Sequence, residues 1–137
     1  MSNIFTLRCA AIVGGGTMGT DIAAIFIAGG WAVNIVEPLQ DRWSAALARI
    51  AQSVEQLGKS PKTLPVRMHV EIGGLPWNGL GILIECIPED LELKKSLFVQ
   101  MEKLAPASLP IASNSSSFPI SEINSGLKTR ERMLGLH

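Results

Sequence analysis

The chain has 137 residues, a length that suits one domain with a single hydrophobic core. Its 12 basic and 12 acidic residues cancel, so the net charge gives no electrostatic reason to expect binding to nucleic acid or to an anionic membrane. Hydrophobic residues make up 47% and charged residues 18% of the chain, which excludes intrinsic disorder and leaves more apolar residues than a small monomer needs.

The cysteines and histidines predict neither a disulfide nor a metal site. Cys9 and Cys86 each lie in an apolar run, which is typical of buried free thiols in a reducing compartment. Together with His69 and His137 they match no zinc spacing, so we expect no metal. The first residues have no basic segment followed by an apolar stretch, and no apolar run is long enough to span a membrane. We therefore expect a cytoplasmic protein, or one of an organelle matrix whose targeting segment has been removed.

Short apolar runs alternate with stretches of helical periodicity along the whole chain. Strands are predicted at residues 8–13, 31–36, 68–72, 81–87, 109–112 and 132–136, and helices at 17–28, 40–57, 91–104 and 119–123. Residues 75–80 are too few for a crossover helix, so we expect a turn or one helical turn there. This order predicts a doubly wound α/β domain of the Rossmann type, with about six strands in a mostly parallel sheet and helices on both faces.

The helix predicted at 91–104 has an apolar stripe. Leu93, Leu97, Met101 and Leu104 are in phase along it, and this pattern predicts that they face the core.

A glycine-rich segment joins the first predicted strand to the first predicted helix and fits the pattern G-x-G-x-x-G: Gly14, Gly15, Gly16, Thr17, Met18 and Gly19. Gly14 would permit a tight turn, Gly16 would let a pyrophosphate approach the backbone, and Gly19 would let helix and strand pack closely. The helix N-terminus at Thr17 and Met18 would offer unpaired N–H groups to phosphates. The segment predicts a dinucleotide-binding site, with a ligand-free glycine turn as the alternative.

An acidic residue follows the second predicted strand. Glu37 comes twenty-one residues after Gly16, where a carboxylate accepts hydrogen bonds from the adenosine ribose and repels a 2′-phosphate. The pattern favours NAD over NADP, although Arg42 is near enough to keep NADP as an alternative. A surface carboxylate at a strand end is the competing interpretation of Glu37.

Four segments, in order, resemble the signatures of the NAD-binding domain of the 3-hydroxyacyl-CoA dehydrogenase family: 13–19, 84–94, 112–120 and 135–137. The resemblance runs from about Leu7 to the last residue. It implies an oxidoreductase of fatty acid metabolism that interconverts L-3-hydroxyacyl-CoA and 3-oxoacyl-CoA by hydride transfer to NAD. Two departures are a glycine, Gly81, where the family usually has an acidic residue, and a short segment over 59–78.

The resemblance also implies roles for residues of the later segments. Glu89 and Lys94 would belong to the cofactor site, although a lysine on a helix is as often simply exposed. Ser116 would meet both the nicotinamide and the substrate, and Asn114 lies in the same polar loop, which can hold a carbonyl or hydroxyl group. Ser53 falls near the family's coenzyme A contacts, but a serine on the surface of a helix is the simpler interpretation.

His137 matches the family's catalytic histidine. In that role it would take the proton from the 3-hydroxyl group while the hydride leaves for the nicotinamide, and imidazole suits this because it titrates near neutral pH. An expression tag beginning at His137 is the alternative, which the preceding Gly135 and Leu136 disfavour. A histidine base needs an orienting partner, and the family's glutamate lies further along the chain.

The resemblance bears on domain organisation as well. In the family, a helical domain after the histidine completes the substrate cleft and forms a homodimer. We therefore expect residues 1–137 to be the NAD-binding domain, inactive without that second domain, which would account for the surplus of apolar residues. Two other functions stay open: a dehydrogenase of the same superfamily with another 3-hydroxy substrate, such as carnitine, and a non-catalytic NAD-binding protein like the family's lens crystallins.

Overall fold

The computed structural model describes residues 8–137. The expectation of no leader segment concerns residues that lie almost entirely outside the described part. Leu7, where the resemblance begins, also lies outside it. Within it, six strands lie at Cys9–Val13 (β1), Ala32–Val36 (β2), Val66–His69 (β3), Ile82–Glu85 (β4), Ile111–Ser113 (β5) and Met133–Gly135 (β6). The α-helices are Thr17–Ala28 (α1), Trp43–Gln56 (α2), Leu91–Leu104 (α3) and Ile120–Ile123 (α4).

The strands form one sheet in the order β3-β2-β1-β4-β5-β6, and all five pairings are parallel. The chain moves outward from β1 to β3, then crosses back to β4 on the other side of β1. In an open parallel sheet this reversal leaves a crevice at the carboxyl ends of the strands, here between β1 and β4. The predicted doubly wound Rossmann-type fold is confirmed.

Helices cover both faces of the sheet, as predicted. On one face, α1 and α2 bury Ala23, Ala24, Ile27, Ile50 and Val54 against Ile12, Val33 and Ile35. On the other face, α3 and α4 bury Phe98, Met101 and Ile123 against Ala11, Val36, Leu83 and Ile111. Phe98 and Met101 have no exposed surface, and side chains of that size each contribute roughly 1.5–3 kcal/mol when fully buried.

Several predicted boundaries differ from the structure. The strand predicted at 68–72 lies at Val66–His69, because it pairs with Val33–Val36 and the chain then turns into a 3-10 helix at Ile72–Gly74. The strand predicted at 109–112 lies at Ile111–Ser113.

The second helix also begins later than predicted. Its first three predicted residues, Gln40–Arg42, form a 3-10 turn that leads into α2. The single helical turn expected at 75–80 is present as a 3-10 helix at Trp77–Gly79.

The stripe predicted for α3 is confirmed at Leu97 and Met101, which pack in the core, and is wrong at Leu93 and Leu104. Leu93 and Leu104 are about half exposed, whereas Lys94, Phe98 and Met101 are the residues that this helix buries. The buried positions follow a helical period of four and three residues, but the first of them is a lysine. A fully buried lysine needs charged or polar partners. The buried face of α3 can therefore be predicted only when the partner of Lys94 is known.

Candidate functional site

The glycine loop between β1 and α1 adopts the backbone that its sequence predicts. Gly14 has a φ of 116°, a conformation that L side chains rarely adopt, and a Cβ there would lie 2.5 Å from the carbonyl oxygen of Cys86. A Cβ on Gly19 would lie 1.9 Å from the carbonyl oxygen of Gly14. Both positions therefore require glycine, the first for the turn and the second for close packing of α1.

Gly16 differs from these two, because the space around it is open. A Cβ there would meet no atom within 4 Å, and no side chain caps the N-terminus of α1. The backbone N–H groups of the first turn, which have no partner inside the helix, thus face open space. A pyrophosphate can approach such a surface closely and accept those hydrogen bonds.

Glu37 follows β2 and faces the glycine loop. Its side chain is only 7% exposed, and its Oε2 accepts a hydrogen bond from the backbone N–H of Leu39 at 3.0 Å. A Cβ built on Gly15 would lie 3.3 Å from Oε1, so this second oxygen points toward the loop. Glu37 is therefore held in place at the edge of the crevice, with one carboxylate oxygen directed at the glycine loop.

One cleft of about 490 Å³ opens at the carboxyl ends of the strands and brings most of the predicted site residues together. Its lining includes Gly14, Gly16, Thr17, Met18, Glu37, Arg42, Glu89, Lys94, Asn114, Ser116 and His137. Its lining residues fall on two sides of β1, toward β2 and toward β4, β5 and β6, and we name two halves accordingly. The Glu37 half comprises Glu37 and Arg42, and the Ser116 half comprises Glu89, Lys94, Asn114, Ser116 and His137.

Two predicted residues do not line this cleft. Gly19 lies beneath it and acts only through packing. Ser53 lies on α2 and lines a separate groove of about 190 Å³ between α1 and α2, with Asp21, Ile25 and Leu57. The structure thus gives Ser53 no contact with the other predicted site residues.

Lys94 lies at the start of α3 and is buried, so the alternative of an exposed lysine is wrong. Its ammonium group contacts Glu85 Oε2 at 2.5 Å, the carbonyl oxygen of Ile87 at 3.0 Å and Glu89 Oε1 at 3.2 Å. An ammonium group has three N–H donors, so every donor of Lys94 has an acceptor in the protein. Glu85 is itself fully buried at the end of β4, and sequence reasoning missed it.

Ser113, the last residue of β5, and Ser115, in the loop that follows, complete a closed set of hydrogen bonds. The Ser113 hydroxyl donates to Glu85 Oε1 at 2.5 Å and accepts from the backbone N–H of Ser115 at 3.2 Å. The Ser115 hydroxyl donates to Glu89 Oε2 at 2.8 Å. Since Glu89 and Glu85 both bind Lys94, these five residues close a circuit that we call the polar ring. It connects the carboxyl ends of β4 and β5 beneath the Ser116 half.

Glu89 is the exposed member of the polar ring. Desolvation acts to raise the pKa of its carboxyl group, but hydrogen bonds from Ser115 and Lys94 outweigh this and hold the pKa below the usual value of 4.5. The side chain is 41% exposed and also accepts from the backbone N–H of Ser117 at 3.3 Å. Glu89 is therefore an ionised group at the surface of the cleft, and it ties the loop after β5 to the start of α3.

Asn114, Ser116 and His137 form the outer part of the Ser116 half. The backbone N–H of Asn114 donates to the carbonyl oxygen of Glu85 at 2.9 Å, while the side chain of Ser116 is exposed. Strand β6 brings His137 to the cleft, because Gly135 pairs with Ser113 and the N–H of Leu136 donates to the carbonyl oxygen of Ser113 at 2.8 Å. The arrangement puts a hydroxyl and an imidazole at the mouth of one cavity.

Sequence reasoning did not single out every residue that lines the cleft. Cys86, Ile87 and Pro88 follow β4 and line the cleft beside the glycine loop. Next to the Glu37 half, a second cavity of about 460 Å³ is lined by apolar side chains that include Val70, Ile72, Leu93 and Leu97. It shares Gly14 and Glu37 with the first cleft, so the two cavities adjoin.

Both cysteines are free, as predicted, but they are half-buried rather than buried. Burial raises the pKa of Cys86 to about 12, and the nearby Glu85 charge adds to this against the opposing effect of Lys94. Burial also raises the pKa of Cys9, although a hydrogen bond from Asn34 opposes it. Both thiols are therefore protonated at neutral pH, which makes Cys86 a poor nucleophile despite its place in the cleft.

The geometry fits a dinucleotide. Unpaired N–H groups at the start of α1 suit a pyrophosphate, the open space over Gly16 lets it approach, and Oε1 of Glu37 lies where ribose hydroxyls can donate to it. The apolar cavity beside Glu37 suits a flat adenine ring. The other end of such a ligand would lie in the Ser116 half. The residues present therefore fit NAD.

Residues 8–137 also bear on membrane spans and metal sites. None of the helices there is both long and apolar enough to cross a bilayer. No group of three or more His, Cys, Asp or Glu side chains in that range is arranged to hold a metal ion.

Comparison with known proteins gives several relatives of similar identity. A 3-hydroxybutyryl-CoA dehydrogenase of Mycobacterium tuberculosis is 30% identical over 134 residues, which cover 92% of this chain and 47% of that protein. The human lambda-crystallin homolog is 32% identical over 128 residues, or 87% of this chain and 40% of that protein. The crystal structure of 3-hydroxybutyryl-CoA dehydrogenase from Escherichia coli superimposes with a TM-score of 0.82 at 28% identity, and covers 96% of this chain and 29% of that one.

The chain spans less than half the length of these relatives. Its residues 9–137 match the family described as "3-hydroxyacyl-CoA dehydrogenase, NAD binding domain". The match includes the glycine loop, the polar ring and His137. With a fold and a cleft that fit NAD, this chain belongs to the 3-hydroxyacyl-CoA dehydrogenase family, an oxidoreductase family, and forms its NAD-binding domain.

Proposed function

We propose that this domain provides the cofactor half of the active site of an NAD-dependent L-3-hydroxyacyl-CoA dehydrogenase, which interconverts 3-hydroxyacyl-CoA and 3-oxoacyl-CoA. The observation that carries the proposal is the meeting of Ser116 and His137 at the end of the cleft opposite Glu37. In dinucleotide-binding folds the acidic residue after β2 contacts the adenosine ribose, so the opposite end receives the nicotinamide. A hydroxyl and an imidazole at that end suit oxidation of a secondary alcohol.

The proposed roles follow from the chemistry of each side chain. NAD, when bound, supplies the hydride acceptor. His137 removes the proton from the 3-hydroxyl group as the C–H bond breaks, and it returns that proton in the reverse direction. The Ser116 hydroxyl donates a hydrogen bond to the substrate oxygen, where it favours the orientation that transfer requires. Asn114, in the same loop, can add a second polar contact to the substrate.

Proposed cofactor contacts divide between the two halves. Gly14, Gly16, Thr17 and Met18 hold the pyrophosphate with backbone N–H groups, and Glu37 accepts from the adenosine ribose. Glu89 and Lys94 lie in the Ser116 half, at the position that the nicotinamide ribose would occupy.

The proposal includes a second domain. Within residues 8–137 no carboxylate forms an ion pair with His137, so the orienting partner of this base must come from elsewhere. We assign it to a helical substrate domain, which would also cover exposed side chains near the cleft such as Met18, Leu134 and Leu136 and form a homodimer. This chain alone would then bind NAD without measurable turnover. A cytoplasmic location stays a prediction, which cell fractionation can test.

The function can be tested in two steps. Calorimetric titration of this chain should detect NAD binding, and its absence would remove the cofactor proposal. Turnover is then measured as NADH oxidation with acetoacetyl-CoA, on the chain together with the residues that follow it in its coding sequence. We expect His137→Ala to reduce kcat by about a thousandfold, as loss of a general base does. Intact, folded protein without turnover of any 3-oxoacyl-CoA would contradict the proposal.

A second candidate function is non-catalytic NAD binding, which the 32% identity to the human lambda-crystallin homolog favours. The same assay separates the two functions. NAD binding without NADH oxidation in the parent protein would support this alternative. Unchanged NADH oxidation in both Ser116→Ala and His137→Ala would instead remove the catalytic roles proposed for these two residues. A substrate panel that includes 3-oxo acids without coenzyme A distinguishes a related dehydrogenase, for example one that acts on a carnitine-like compound.

A further inference from the structure

The polar ring leaves one donor of Lys94 exchangeable. Two of its acceptors belong to the protein interior, namely the fully buried Glu85 carboxylate and the carbonyl oxygen of Ile87. The third acceptor, Glu89, makes the longest of the three contacts and is 41% exposed at the cleft surface. A ligand hydroxyl in the cleft can replace Glu89 without disturbing the buried contacts. Glu85 thus determines where the ammonium group lies and in which direction the donor that binds Glu89 points.

The same ring holds the loop that carries Ser116. Ser115, the residue before it, donates its hydroxyl to Glu89 and accepts from the backbone N–H of Phe118 at 3.0 Å. Ser117, the residue after it, donates its backbone N–H to Glu89. Ser113 joins this loop to the buried carboxylate of Glu85. Ser116 is exposed, yet both of its neighbours are fixed by hydrogen bonds to the ring.

We propose that Glu85, Ser113 and Ser115 are positioning residues that hold the Lys94 ammonium and Ser116 in one fixed relation, and thereby set the affinity of the Ser116 half for the nicotinamide nucleotide. The inference rests on the proposed function, since it takes NAD as the ligand of the cleft. None of the three residues needs to touch the cofactor. They hold the Lys94 ammonium group and Ser116 in place before the ligand binds, so that no free energy is lost in ordering these groups on binding.

The division of the cleft provides an internal control. ADP contains the adenosine and pyrophosphate parts of NAD, so it would occupy the glycine loop and the Glu37 half but not the Ser116 half. A variant that disturbs only the polar ring should weaken NAD binding and leave ADP binding unchanged. General damage to the sheet or to the glycine loop would weaken both ligands together.

The test is calorimetric titration of this chain with NAD and with ADP, well below the unfolding temperature. Ser113→Ala and Ser115→Ala each remove a hydrogen bond to a carboxylate, and we expect each to weaken NAD binding by about tenfold. Ser117→Ala is the matched control, because only its backbone N–H contacts Glu89, and its NAD affinity should stay within roughly twofold of the parent. ADP affinity should be unchanged in all three variants.

Ser113 is buried, so Ser113→Ala could reduce folding, and Ser115 in the loop provides the independent variant. Ser115→Thr retains the hydroxyl, so its NAD affinity should be close to that of the parent and higher than that of Ser115→Ala. If the loss in Ser115→Ala came only from altered packing, the retained hydroxyl would not recover it. The inference is wrong if NAD binds Ser113→Ala and Ser115→Ala as tightly as the parent, or if ADP affinity falls in parallel. If the parent chain binds ADP but not NAD, the positioning role is contradicted, whereas the assignment of the Glu37 half to the adenosine is supported. If it binds neither, the proposed function fails as well.

Discussion

The two halves of the cleft are built in different ways. In the Glu37 half the side-chain hydrogen bond is local, because Glu37 accepts from Leu39, two residues along the chain, and the glycine loop beside it is one continuous segment. Beneath the Ser116 half, Ser113 donates to Glu85 across 28 residues and Ser115 donates to Glu89 across 26. The side-chain hydrogen bonds of the polar ring therefore form only when the sheet places β5 beside β4. Substitutions should therefore affect the two halves through different quantities.

The largest expected effect lies in the Ser116 half. Lys94→Met leaves the buried Glu85 carboxylate without its cation, which should lower the free energy of unfolding by about 3–5 kcal/mol at neutral pH. Urea denaturation measures this loss. Lys95→Met is the matched control, because Lys95 is the next residue on the same helix and is only partly buried; we expect a change within about 0.5 kcal/mol. Similar losses in both variants would show that the Glu85–Lys94 pair has no special weight.

The next largest effect concerns the glycine loop. Gly19→Ala puts a Cβ 1.9 Å from the carbonyl oxygen of Gly14, so the helix must move, and we expect a loss of about 3 kcal/mol in the free energy of unfolding. Gly16→Ala meets no atom within 4 Å and should change stability by less than about 0.5 kcal/mol while it weakens NAD binding. Denaturation and calorimetry on both variants separate packing from ligand approach. Unchanged NAD affinity in Gly16→Ala would contradict the assignment of that space to the pyrophosphate.

A smaller effect is expected at Glu37. Glu37→Gln keeps an acceptor for the N–H of Leu39 but removes the charge that repels a 2′-phosphate. We expect NAD binding to weaken and NADP binding to improve, so that the ratio of the two affinities shifts about tenfold. In the double variant that adds Arg42→Ala, NADP should lose this gain, because Arg42 is the cation beside Glu37 in the cleft. No shift toward NADP in Glu37→Gln would count against the role of its carboxylate.

The smallest effect is a change in the pH dependence of stability. Desolvation works against ionisation of Glu89, yet the hydrogen bonds from Ser115 and Lys94 keep its pKa below the usual 4.5. A lowered pKa contributes stability that is complete above the unfolded pKa and is lost as pH falls through the folded one. In Glu89→Gln the free energy of unfolding should therefore fall less steeply as the pH drops below 4.5. The change is small, because solvent screens this exposed group. The exposed Glu92→Gln on α3 serves as control and should leave that pH dependence unchanged.

Local features of the sequence were enough to predict most of the fold. Residues 91–104 and 17–28 were predicted as helices with the bounds that the structure has. The strand at 68–72 was misplaced, because its edge is determined by pairing with β2 rather than by its own alternation. Strand pairing is a long-range contact, and periodicity along one segment does not contain it.

The same difference between short-range and long-range contacts determines which site residues could be predicted. The glycine loop and Glu37 could be found because they are short-range motifs with one physical purpose per residue. Lys94 and Ser116 came from resemblance to a family, and Glu85 and Ser113 were missed altogether. A buried carboxylate in an apolar strand was the available signal for Glu85, since such a group requires a cation. Which lysine supplies it depends on how α3 packs, and that is not encoded locally.

The short final strand constrains how this chain can vary. The last backbone bond of β6 joins Leu136 to Ser113, so His137 is only one residue from a fixed anchor on the neighbouring strand. Residues added between α4 and β6 would lengthen a surface connection and leave that distance unchanged. One residue inserted after Gly135 would move the imidazole one residue further from β6. Insertions and deletions before β6 should therefore be tolerated, whereas a change in length at residues 136–137 would displace His137.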